Sequence, residues 1–156
     1  DAGIAPFSPS CRLVEEGACL HLGDLTVQAF GSTDIGVSFL VKLPQLTLYH
    51  AGDLNDWCWK GEMSDEACAQ MEADFLAKVE AMRGIAVDVA FFPVDARLGP
   101  YAAKGVELYA RQIKPGTIIP MHFFGGSSQL LLAKQALAGS GVRFIEKAFP
   151  GDVIPC

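Results

Sequence analysis

Tyr49-His50-Ala51-Gly52-Asp53-Leu54-Asn55-Asp56-Trp57-Cys58-Trp59 follows directly on Leu46-Thr47-Leu48, and the join between them decides the fold. Leu46 to Tyr49 is a short β-prone run, so Gly52 breaks a strand and leaves Asp53 at its carboxyl end. In open α/β sheets ligands bind at that end. A histidine, two carboxylates and a carboxamide fall within a few residues, beside two tryptophans able to wall off a pocket. These are the donor types a metal takes. The same residues also read as a polar turn, with Asp53 and Asn55 capping local amides while Trp57 and Trp59 cover a core edge.

Upstream, Cys19-Leu20-His21-Leu22 and Leu25 to Phe30 read as two strands joined at Gly23-Asp24. His21 on a strand face reads as a hydrogen-bonded structural residue. Ser32-Thr33-Asp34 forms a polar loop before Val37 to Val41 resumes strand composition, and Leu43-Pro44-Gln45 turns the chain into the strand carrying Asp53. If that loop reaches the same sheet edge as Asp53 it supplies oxygen ligands or orienting groups. Otherwise it is a tight turn held by side-chain hydrogen bonds. The opening Ala5-Pro6-Phe7-Ser8-Pro9-Ser10 is irregular and reads as the middle of something, so a fragment is expected.

Downstream, Ser64 reads as an N-cap, with Asp65 and Glu66 at the positive end of a helix. Cys68, Met71, Phe75, Val79 and Met82 share one face of it, a stripe belonging to core, and Gly84 ends it. Ile85 to Asp95 is nearly continuous in apolar residues, the pattern of a strand buried on both faces, with Asp95 just past its end as a candidate either to line the pocket or to support the residues that do. Pro100 opens a helix over 102–113. Thr117 to Pro120 is a short strand ending at His122. Ser127 or Ser128 caps a last helix through Ala138, and Val142 to Ile145 is a final strand. Strands alternating with helices imply an α/β layer with parallel pairing.

A chain of 156 residues fits one domain with one core. A mean hydropathy of +0.29 sits at the apolar end, as covered strands require, yet no apolar run approaches the roughly 20 residues of a membrane span. The net charge of −6, with twelve scattered basic residues, argues against nucleic acid as a partner. An anionic substrate would need a local cation, such as a bound metal. Five cysteines without a Cys-x-x-Cys pair read as mostly reduced thiols, and with no leader-like segment they point to the cytoplasm.

Asp53, Asp95 and His122 thus occupy three strand ends, the carboxylate and imidazole mixture that a hydrolytic metal site uses. Gly31-Ser32-Thr33-Asp34-Ile35-Gly36-Val37-Ser38-Phe39, His50-Ala51-Gly52-Asp53-Leu54-Asn55 with Trp57 and Trp59, Phe91-Phe92-Pro93-Val94-Asp95, and Pro120-Met121-His122-Phe123 follow in order. Over about residues 25–125 this series resembles the C-terminal half of the metallo-β-lactamase-fold hydrolases.

The resemblance implies half of an αββα sandwich, a mixed sheet with helices on one face. It implies Asp53 as the metal-bridging ligand and His122 as a terminal ligand of the second metal. Asp34 stands where that superfamily usually has another ligand histidine, and Asp34 with Asn55 would orient the reacting groups. Zn²⁺ is the implied cofactor, one or two ions, with Mn²⁺ or Fe also suited to the donors. In a complete protein a metal-bound hydroxide would attack a small ester, lactone, amide or phosphoester. The superfamily's His-x-His-x-Asp-His motif is absent, and His21, His50 and His122 cannot replace it. His50 would face away from Asp53 and reads as structural. The alternative reading is a non-catalytic interaction module, a remnant of the fold whose open sheet face drives self-association.

Overall fold

The computed structural model describes residues 12–146 and 152–154. Four strands in succession form an antiparallel meander: β1 (Cys19–Leu22), β2 (Leu25–Phe30), β3 (Ser38–Leu43) and β4 (Leu46–His50). Two-residue turns set the register, pairing Leu22 with Leu25 across Gly23-Asp24 and Leu43 with Leu46 across Pro44-Gln45. After β4 helices and strands alternate: α1 (Asp65–Glu80), β5 (Val89–Pro93), α2 (Lys104–Ile113), β6 (Thr117–Met121), α3 (Ser127–Ala136) and β7 (Arg143–Phe144). A helix that carries the chain back to the starting edge makes neighbouring strands parallel, as β4 to β7 are.

All seven strands lie in one mixed sheet in sequence order. Right-handed crossovers that keep stepping in one direction leave their helices on one face. Accordingly α1 packs on α2 and α2 on α3. Leu40, Tyr49, Ala90 and Ile118 lie side by side across β3 to β6, fully or almost fully buried beneath Phe75 and Val79 of α1 and Val106 and Tyr109 of α2. Phe39, Val41, Leu48, Phe91 and Ile119 are one residue out of phase, so they point to the opposite face, where they are only half-buried. One covered and one partly open apolar face is the form of half an αββα sandwich.

Local chemistry fixes the element ends. Ser64 caps α1, its hydroxyl accepting from the Ala67 N–H at 3.1 Å, and Lys114 closes α2 in the left-handed conformation. Four expectations need correction. Cys58 and Cys68 are joined in a disulfide, so these two are not reduced thiols; Cys19 is free and exposed. Pro100 lies inside a 3₁₀ segment over Ala96–Tyr101, and α2 begins only at Lys104. Neither Ser127 nor Ser128 caps α3; Gly126 is the capping residue and makes no side-chain bond. Residues 85–88 lie outside β5, and the Asp88 carboxylate accepts from the Thr47 N–H at 2.7 Å. The irregular opening at Ala5 to Ser10, Cys11 and Cys156 lie outside the described residues.

Candidate functional site

Two antiparallel steps make β2 run parallel to β4, and β5 and β6 follow β4, so the carboxyl ends of all four share one edge. The loops after them carry Thr33 and Asp34, Asp53 to Trp59, Asp95 to Arg97, and His122 to Phe124. Strand direction therefore gathers residues far apart in sequence.

The Asp53 turn is held from several sides. Gly52 takes φ +57° and donates its N–H to His50 Nδ1 at 3.1 Å; a Cβ there would press on the Val37 carbonyl. The Trp57 indole donates to the Asp53 carbonyl at 2.8 Å. Thr33 clips the two loops together, its hydroxyl donating to the Asn55 carbonyl at 2.6 Å and accepting from the Asn55 N–H at 3.2 Å. The Asp53 carboxylate remains 40% exposed.

His122 approaches from β6. Its Nε2 lies 3.8 Å from Asp53 Oδ1 and its Nδ1 lies 2.9 Å from Asp95 Oδ2. Trp57 meets the ring edge-on at 5.8 Å and Phe124 at 4.8 Å. Asp95 is fully buried and also accepts from the Arg97 backbone N–H and guanidinium at 2.6 to 3.1 Å. Burial alone would raise the Asp95 pKa, but the hydrogen bonds from Arg97 and His122 outweigh it and hold the carboxyl below its ordinary range. Arg97 in turn lies over the rings of Trp59 and Phe124, at 5.5 and 5.1 Å.

These groups border an open cavity of about 370 Å³. Asp34, Asp53, His122 and Arg97 supply its polar wall, and Trp57, Trp59, Met63 and Met71 its apolar one. Trp57 and Trp59 stack at 6.0 Å, and the disulfide beside them ties this loop to the first turns of α1.

Of the residues singled out in the sequence, Asp34, Asp53 and His122 come together here. Asn55 does not reach the cavity. It is fully buried, and a Cβ on Gly105 of α2 would overlap its Oδ1. It braces the turn through its backbone instead. His50 is exposed on the opposite sheet face against Phe91, and His21 bonds Thr26 at 3.2 Å. Met71, expected in the core, borders the cavity. Arg97 was not anticipated, although Asp95-x-Arg97 directly after a strand end is a signal that could have found it.

The donors at the cavity suit a divalent cation. His122 Nε2 faces the half-exposed Asp53 carboxylate without a hydrogen bond, since 3.8 Å is too long for one, and the exposed Asp34 lines the same cavity. Among the described residues no group of three or more metal-binding side chains is already assembled around one point.

No protein-family model and no curated protein matches the sequence. Solved structures do match. Igni18, a metallo hydrolase from Ignicoccus hospitalis, is 15% identical with a TM-score of 0.54, over 85% of this chain and 56% of that one. YhfI, a metallo-β-lactamase fold protein from Bacillus subtilis, is 13% identical with a TM-score of 0.52, over 87% and 53%. CmlA, a diiron β-hydroxylase from Streptomyces venezuelae, is 12% identical with a TM-score of 0.50, over 85% and 32%. Identities this low speak for fold alone. The chain carries part of the metallo-β-lactamase fold and spans about half, or less, of the length of these structures.

Proposed function

We propose that this chain is the part of a metal-dependent hydrolase of the metallo-β-lactamase fold that bears Asp53 and His122. The observation that carries the proposal is their convergence. Two strand ends 69 positions apart, residues 53 and 122, bring a carboxylate and an imidazole to 3.8 Å on the rim of one cavity. Asp53 and His122 Nε2 would hold the cation, Zn²⁺ or else Mn²⁺ or Fe. Such a cation supplies Lewis acidity that polarises a substrate oxygen and makes water nucleophilic near neutral pH.

The chain's own residues do the positioning. Thr33 and Trp57 fix the Asp53 turn through three hydrogen bonds. Asp34 stands on the polar wall, free to orient water or substrate, and Trp57 with Trp59 excludes solvent from the opposite wall. Arg97 supplies the one positive side chain among the cavity-lining residues, suited to an anionic portion of an ester, lactone, amide or phosphoester substrate.

Activity is proposed for a protein longer than this chain, because three histidines cannot furnish a dinuclear site and the similar structures are longer. The test is to read the sequence encoded directly upstream of Asp1, express it with this chain, load Zn²⁺ and assay small ester, lactone and phosphodiester substrates. Expected are a His-x-His-x-Asp-His motif and metal-dependent turnover that Asp53→Ala abolishes. An upstream sequence without that motif, and no turnover, would leave the non-catalytic interaction module.

A further inference from the structure

Asp95 is buried completely at the end of β5, yet its carboxylate does not serve the fold alone. Oδ1 accepts from the Arg97 backbone N–H at 2.8 Å and from Nε at 2.9 Å. Oδ2 accepts from Arg97 Nη2 at 2.6 Å and lies 2.9 Å from His122 Nδ1. An ionised carboxylate can only accept, so this last contact requires a proton on Nδ1. The imidazole then has one lone pair left, on Nε2, and that atom faces Asp53 across 3.8 Å.

The backbone gives independent support. His122 has φ +62° and Phe124 φ +44°, in the left-handed region that non-glycine residues rarely adopt. Such conformations persist where the surroundings over-determine them, and they gather at functional sites. The Val94 N–H donates to the Met121 carbonyl at 3.0 Å, so the two strand ends that carry Asp95 and His122 are stitched together.

We propose that Asp95, clamped by Arg97, is a positioning residue that holds His122 in the Nδ1–H tautomer with Nε2 turned into the cavity. The use of the freed Nε2 as a donor to a cation rests on the metal-dependent reading above, whereas the tautomer does not. Carboxylate partners of this kind fix ring orientation at metal sites, and losing one typically weakens metal binding by about 10–100-fold.

The experiment is long-range ¹H–¹⁵N correlation spectroscopy of the full chain labelled at histidine nitrogens, at a pH where imidazole is neutral. His122→Gln assigns the His122 signals. Wild type is expected to show a protonated Nδ1 and a bare Nε2. In Asp95→Asn, Arg97 retains the one remaining side-chain oxygen, so the amide NH₂ faces the ring and donates to Nδ1. The proton should move to Nε2. A wild-type ring protonated on Nε2, an even mixture of tautomers, or an unchanged tautomer in Asp95→Asn overturns the proposal. The wild-type spectrum decides even if the variant fails to fold. Zn²⁺ added to the labelled protein expressed with its upstream sequence separates the two claims: an Nε2 signal that Zn²⁺ leaves unmoved sinks the metal reading, with the tautomer result standing.

Discussion

Tyr49 and Tyr109 stack at 5.4 Å in the core, and burial pushes both phenols well above their ordinary pKa of 10.0, a Ser38 contact offsetting part of the effect at Tyr49. A folded-state pKa above the unfolded one means that the folded chain keeps protons the unfolded chain releases. Their contribution to stability is therefore intact below pH 10.0 and is lost as pH climbs past it, by up to about 1.4 kcal/mol per unit for each tyrosine. Alkaline titration is expected to show these two tyrosinates appearing only together with unfolding, and Tyr109→Phe should make the alkaline decline shallower. Smooth ionisation of Tyr49 and Tyr109 in the folded chain near pH 10 would contradict the burial. Among site residues, Asp53 and His122 were legible because Gly52 and Pro120-Met121 mark strand ends locally. Asn55 looked equally eligible, but its surroundings depend on Gly105, a distant helix residue whose missing Cβ makes the slot. Arg97 was not legible, because Asp95, Trp59 and Phe124 fix its place only in three dimensions.

At the scale of elements, the tryptophan-bearing loop is anchored by a bond rather than by a strand. The Cys58–Cys68 disulfide spans a sequence separation of 10 and fastens the cavity wall to α1. Closing a loop of that length stabilises by about 2–3 kcal/mol through the unfolded chain. Cys58→Ser with Cys68→Ser is expected to lower the Tm by roughly 5–10 °C, converting that free energy for a chain of this size. Tryptophan fluorescence should shift if the wall also loosens, and an unchanged Tm in differential scanning calorimetry would contradict the account. Neither cysteine is near the other in the Cys-x-x-Cys sense, so spacing alone could not pair them. Disulfides persist in oxidising environments, which removes the thiol argument for a cytoplasmic location. Helix and strand order was readable from period and breakers. The start of α2 was not, because Gly99 at φ +56° kinks the chain inside the 3₁₀ segment that precedes the helix and leaves Pro100 in that segment.

For the whole molecule, the meander followed by helix-bearing crossovers makes strand order identical to sequence order, which is why topology was within reach of the sequence. No helix among the described residues is long and apolar enough to cross a membrane. What the sequence left open was whether three strand ends coincide, a question of strand direction that the sheet answers by placing β2, β4, β5 and β6 with their carboxyl ends at one edge. The central claim is that Asp53 and His122 act together on one cation there. Isothermal titration with Zn²⁺ of this chain expressed together with the sequence encoded upstream of Asp1, repeated for Asp53→Ala and His122→Ala, tests it most directly. Zn²⁺ binding by wild type, weakened about tenfold or more by either substitution, equivalent to about 1.4 kcal/mol each, is the expected result. Binding that neither substitution alters, or no binding by the wild-type protein, would contradict it.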